Sequence, residues 1–132
     1  STKGEAGVVA IFLSALLNGN APVINGDGRQ TRDYVYVGDV VAANVAALGS
    51  SFVGPINIGT GIETDVVTIF ELLRDEVGSE IEARHGPAKP GEQRRSALDC
   101  RLAGQVLGWR SQVPLREGLK KTAAFYRDNL AR

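Results

Sequence analysis

The chain has 132 residues, with 43% hydrophobic and 23% charged content, which is enough to bury a core and ordinary for a globular domain. Its 15 Lys+Arg balance its 15 Asp+Glu, so nothing global favours nucleic acid, an anionic membrane or an acidic substrate; any electrostatic recognition is local. The single cysteine, Cys100, excludes an intrachain disulfide, has no nearby Cys or His with which to hold a metal, and fits a reducing compartment.

The first segment, "EAGVVAIFLSALLNGN", is apolar on nearly every side and closes in Asn18-Gly19, predicting a buried or half-buried helix from about Glu5 to Leu17. Its apolar run is interrupted by Ser14 and is too short to span a bilayer, and it lacks the flanks of a signal peptide, so a cytoplasmic location is expected. "APVIN" is a short β-rich piece and "GDGRQT" a turn. "RDYVYV" alternates Tyr34 and Tyr36 with Val35 and Val37 and predicts a strand. Asp39 is the expected N-cap of a helix over "VVAANVAALG" that Gly49 closes. "GPINIGTG" reads as a short strand bounded by glycines. "ETDVVTIFELLRDEVG" reads as an amphipathic helix capped by Thr64 or Asp65 and stopped at Gly78. "SEIEARH" alternates like a strand, "GPAKPGEQ" is a Pro/Gly loop, and "RRSALD" a short strand or extended piece. Asp99 is placed to cap a helix over "CRLAGQVLG", and an amphipathic helix over "VPLREGLKKTAAFYRDNLAR" closes the chain. Trp109, Phe125 and Tyr126 are expected in the core. Short strands with about five helices predict an α/β or α+β class, and the scattered strands predict part of a sheet rather than a run of complete βα units.

Gly59 and Gly61 in "NIGTG" follow a strand, but a dinucleotide fingerprint needs a third glycine where this chain has Thr64, so the pair reads as a tight turn. Arg29 and Arg32 flank the glycine turn, while Lys89, Arg94 and Arg95 lie in and after the Pro/Gly loop. Two basic loops at strand ends are where an α/β fold places anion-binding groups, and arginine's planar donors suit a diphosphate. His85 has no G-x-S-x-G elbow to serve and reads as a surface or packing histidine. Asp27, Asp33, Glu92 and Asp99 are the carboxylates that pairwise acid/base cleavage of a glycosidic bond would draw on.

"GDGRQTRDYVYVGDVVAA", "INIGTG", "KPGEQRRSALD" and "LGWRSQVPLREGLKKT", in this order, resemble the C-terminal, substrate-binding portion of the NAD-dependent epimerase/dehydratase family. These are extended short-chain dehydrogenases of the UDP-glucose 4-epimerase type. The resemblance runs from about Gly4 to Leu130 and implies a single partial domain over residues 1–132, without the N-terminal Rossmann half. It implies that Arg32 contacts a nucleotide diphosphate, and that Lys89 and Glu92 contact phosphate and ribose where the family has "RPGD". Asn25 stands at an often aromatic position beside the base, and Arg95 is a further candidate contact. Family members bind NAD through a glycine-rich N-terminal turn and use a Tyr-x-x-x-Lys pair; four residues after Tyr34, Tyr36 and Tyr126 stand Gly38, Val40 and Leu130. The expectation is a nucleotide-sugar-binding chain that takes a UDP-sugar, holds neither cofactor nor metal, and performs no epimerisation alone. Its uncovered face is expected to meet a second copy or a separate cofactor domain. Two alternatives stand beside this: a repurposed hydrolase of glycosidic or sugar-phosphate bonds, and a non-catalytic interaction module.

Overall fold

The computed structural model describes residues 2–92, 94–96 and 98–130. In chain order the elements are α1 (Thr2–Leu17), β1 (Val23–Asn25), β2 (Thr31–Arg32), α2 (Val37–Leu48), β3 (Thr64–Asp65), α3 (Val66–Val77), β4 (Arg84–Gly86), α4 (Arg101–Leu107) and α5 (Leu115–Leu130). Among the described residues the class is mixed α/β, with five helices and few strands, as expected. Two small sheets hold the strands. β1 pairs in parallel with β4, Ile24 opposite His85, and β2 pairs antiparallel with β3, Arg32 opposite Thr64.

The main core lies where α1, α3 and α5 meet over β1. Leu13, Ile69 and Leu73 are completely buried, and Phe12 meets Phe70 edge to face at 5.8 Å. α3 explains the packing: Val66, Ile69, Phe70 and Leu73 recur at helical spacing and face inward. Its start is capped as expected, since the Asp65 carboxylate accepts from Thr68 N at 2.8 Å, and Gly78 ends it in the left-handed conformation. Truncating a buried leucine such as Leu73 here costs on the order of 2–5 kcal/mol.

A second, smaller cluster joins Ala43, Ala103 and Trp109, with Val35, Ile56 and Ile58 against it. The Trp109 indole donates to the Asp39 carbonyl at 2.9 Å, and the Asp39 carboxylate accepts from Gln112 N and Val113 N at 3.0 Å each. Asp39 is therefore a buried tie between α2 and the segment after α4, not the expected cap. Tyr36 occupies the N-cap position, without a side-chain bond.

Other expectations are corrected. The strand over "RDYVYV" reduces to Thr31–Arg32, because Tyr34 turns into the core and Tyr36 already begins the entry to α2. The strand over "SEIEARH" reduces to β4. The strand over Pro55–Gly59 does not form: no strand among the described residues lies beside it, although Ile56 and Ile58 still pack inward. "RRSALD" likewise forms no strand among the described residues, and its Ala97 lies outside them. Asp99 does not cap α4; Cys100 holds that position, and Asp99 instead accepts from Arg101 N. Trp109 is buried in the smaller cluster and Tyr126 packs against the main core, but Phe125 is exposed. No helix among the described residues is long and apolar enough to cross a membrane.

Candidate functional site

The turn between β1 and β2 is built on two glycines with positive φ. At Gly28, with φ 74°, an added Cβ would lie 2.5 Å from Val67 Cγ2 and 2.8 Å from Ile24 Cγ2, so only glycine lets the turn close onto the core. Asp27 folds back to accept from Arg29 N at 2.9 Å and takes both Arg94 donors at 2.9 and 3.0 Å. Those Arg94 bonds, then the Arg29 amide, hold the Asp27 carboxyl down at about 2 instead of 3.8.

A second strap runs from the Pro/Gly loop to β2. Thr31 N donates to the Arg94 carbonyl at 2.9 Å, and the Thr31 hydroxyl donates to Glu63 at 2.8 Å and accepts from Ser96 N at 3.0 Å. Arg95 grips the same Glu63 with two donors at 3.0 and 2.7 Å, and this grip, then the Thr31 hydroxyl, lowers the Glu63 carboxyl from 4.5 to about 2. Arg29 reaches Asp65 at 3.0 Å. Burial raises the Asp65 pKa, but the Thr68 and Arg29 bonds outweigh it, and the net shift is downward.

Between the straps lies the cluster of interest. Arg32 Nη1 donates to the Thr31 carbonyl at 2.6 Å, and Nη2 stands 3.4 Å from Glu92 Oε2. Gln30 Nε2 donates to Glu92 Oε1 and to the Asn25 carbonyl, both at 3.2 Å, and Gln30 is only 5% exposed. Asn25, Arg32 and Glu92, which the sequence singles out separately, thus come together. Lys89 is exposed at the head of the turn whose carbonyl accepts from Glu92 N. Arg95 is engaged by Glu63 rather than by this cluster. The residue that sequence reasoning missed is Gln30, which the sequence places only in the turn before β2; its burial beside Glu92 is set by the fold.

The remaining candidates are structural. Asp33 is buried and accepts from Thr60 N, Thr60 Oγ1, Gly61 N and Leu98 N at 2.7–3.2 Å. The Gly59–Gly61 turn is thereby pinned as a turn, and its amides point at a carboxylate. Asp99 is held by Arg101 and its carboxyl lies at about 2. His85 is exposed and its Nδ1 donates to the Gly26 carbonyl at 2.7 Å, the carbonyl being only an acceptor. An open cleft of about 460 Å³ is lined by Gly59, Thr60, Cys100 and 109–112, and shares no residue with the Arg32 cluster. Burial first, then the Asp33 carboxylate, pushes the Cys100 thiol up and keeps it protonated. No group of three or more His, Cys, Asp or Glu among the described residues could hold a metal ion.

Comparison with known proteins now bears on this geometry. A family model described as GDP-mannose 4,6 dehydratase matches residues 4–122. The chain is 48% identical over 126 residues to a UDP-glucose 4-epimerase of Mycolicibacterium smegmatis, covering 95% of this chain and 40% of that one. A crystal structure of the Thermotoga maritima UDP-glucose 4-epimerase with UDP-glucose superposes with a TM-score of 0.90 at 44% identity, over 94% of this chain and 40% of that one. The Thermus thermophilus UDP-glucose 4-epimerase in complex with NAD superposes at 0.85 with 36% identity, over 93% and 40%. The chain spans about two-fifths of the length of these relatives, and the matched part is their C-terminal portion.

Proposed function

The chain belongs to the GDP-mannose 4,6 dehydratase family, and on that premise we propose that it is the nucleotide-sugar-binding portion of an NAD-dependent epimerase/dehydratase. The observation that carries the reading is the Arg32–Glu92–Gln30–Asn25 cluster at the mouth of β2. Arg32 meets the diphosphate of a UDP-sugar with planar paired donors, Lys89 adds a mobile point charge, and Glu92 accepts from ribose hydroxyls. Asn25 lies toward the base, and Arg95 is a second-rank contact while Glu63 holds it. Residues 1–132 act as one partial domain.

On this reading the chain is catalytically incomplete. Its three tyrosines have no lysine four residues on. Its residues do not fit the pyrophosphate of NAD: the amides of Thr60 and Gly61, the nearest thing to a glycine-rich cradle, are committed to Asp33. Hydrolysis by carboxylates is the weaker reading, since Asp27 and Asp99 are held ionised by arginines and have no proton to give at neutral pH.

The bare face has a place in the same reading. Val37, Val41, Val45 and Leu48 recur along α2, and each is more than half exposed. The occupant proposed is a cofactor-binding portion of the kind that makes up the three-fifths of the relatives' length beyond the matched part. Self-association through that face is the competing outcome. The site itself is tested by calorimetric titration of UDP-glucose. Arg32→Ala should weaken binding by about 1.5–3 kcal/mol, the worth of a hydrogen bond to a charged group. Unchanged affinity would remove the diphosphate role of Arg32.

A further inference from the structure

Arg32 does not meet an incoming anion bare. Its Nη2 already faces Glu92 Oε2 at 3.4 Å, and both side chains are mostly buried, at 18% and 24% exposure. Glu92 is placed, not merely nearby. Its other carboxylate oxygen accepts from Gln30, whose amide nitrogen also holds the Asn25 carbonyl, and Gln30 is almost completely enclosed. The backbone that carries Glu92 is anchored too. Asp27 grips Arg94 and Glu63 grips Arg95 just after it, while Gly26 N bonds the Gly86 carbonyl ahead of the loop.

We propose that Glu92 is a built-in counter-ion, which Arg32 exchanges for a ligand phosphate, and that Gln30 is the positioning residue that holds Glu92 in place. The proposal rests on the reading that Arg32 meets a diphosphate. A carboxylate beside the guanidinium repels any approaching phosphate. Inorganic phosphate and pyrophosphate bring Glu92 no sugar hydroxyls, and at mildly alkaline pH they retain little P–OH to donate in their place. A nucleoside diphosphate brings such hydroxyls, and Glu92 can accept from them once the phosphate has taken its place on Arg32. The pair therefore selects sugar-bearing diphosphates over the small anions that a lone arginine would also bind.

The test is calorimetric titration of pyrophosphate and of UDP into the wild-type chain, Glu92→Gln, Gln30→Met and the double variant Arg32→Gln/Glu92→Gln. Glu92→Gln should bind pyrophosphate roughly tenfold more tightly, the size expected of one like-charge contact at a partly shielded site. UDP should gain less, so the ratio of the two affinities shifts toward pyrophosphate. Gln30→Met keeps the buried volume and should shift the same ratio in the same direction by a smaller factor. The double variant should lose the gain. Pyrophosphate affinity that is unchanged or weaker in Glu92→Gln overturns the proposal, as does a gain that survives in the double variant. If Gln30→Met does not fold, the partly exposed position 92 carries the decision. Failure of the wild-type chain to bind UDP defeats the nucleotide-sugar reading, while the pyrophosphate comparison still decides the counter-ion.

Discussion

Asp33 shows how much organisation one side chain can carry. Its carboxylate receives the amides of Thr60, Gly61 and Leu98 and the Thr60 hydroxyl, joining the Gly59–Gly61 turn and residue 98 to the end of β2. Gly59 is part of the same fit, because a Cβ there would stand 2.8 Å from Asp33 Oδ2. Asp33→Ala would leave the amides of Thr60 and Gly61 in the turn, and of Leu98 beyond it, without their acceptor. The expected cost is on the order of 2–4 kcal/mol in urea unfolding, with Asn losing less because it keeps one acceptor oxygen. A loss within error of zero would mean that water replaces the carboxylate freely. From the sequence, Asp33 was one of several acids beside an arginine; nothing local announces that its partners are 27, 28 and 65 residues away.

At the scale of elements, the Pro/Gly loop is held over β2 by ion pairs that respond to pH. The Asp27 and Glu63 carboxyls titrate at about 2 in the folded chain against ordinary values of 3.8 and 4.5. Because the folded values are depressed, the unfolded chain takes up protons first as pH falls. The stabilisation is complete above the ordinary carboxylate range and is lost progressively as pH drops toward 2. Both groups are exposed enough for salt to screen the pairs. The thermal midpoint should therefore fall between pH 5 and 2, and carboxyl resonances of Asp27 and Glu63 should titrate well below those of unpaired acids. Midpoints near 4 for both would show that the straps do not hold in solution. The loop itself was legible from "GPAKPGEQ", and so was its basic character. That Arg94 and Arg95 brace the loop through Asp27 and Glu63, while Arg32 faces Glu92, was not legible, since charge spacing along a chain does not say which acids lie across from it.

The whole molecule is lopsided. α1, α3 and α5 enclose a continuous core, whereas α2 and α4 share a thin cluster around Ala43, Ala103 and Trp109. Beyond that cluster α2 shows its apolar stripe, and Phe52 and Val53 extend the exposed surface. Val41→Lys/Val45→Lys should change unfolding free energy by no more than about 0.5 kcal/mol per site, because both side chains are exposed and lysine is a good helix former. The same variant should abolish capture of a separately expressed cofactor-binding portion of a relative. Capture that persists would place the partner elsewhere, and an oligomer of the unmodified chain that the variant dissolves would replace that partner with a second copy. Sequence alone determined the mixed class, about five helices, the glycine turn and the family, because apolar spacing, helix-ending glycines and turn residues are local, whereas Asp39 and Asp99 found tertiary or neighbouring partners instead of capping. Tertiary structure decided the ladders and the site. A strand exists only where another backbone lies beside it, so the polar Arg84–Gly86 pairs with β1 while Pro55–Gly59, with the clearer apolar alternation, pairs with nothing described. A candidate site likewise exists only where the fold brings charges together: Glu92 faces Arg32 and accepts from the buried amide of Gln30, beside the loop's two straps.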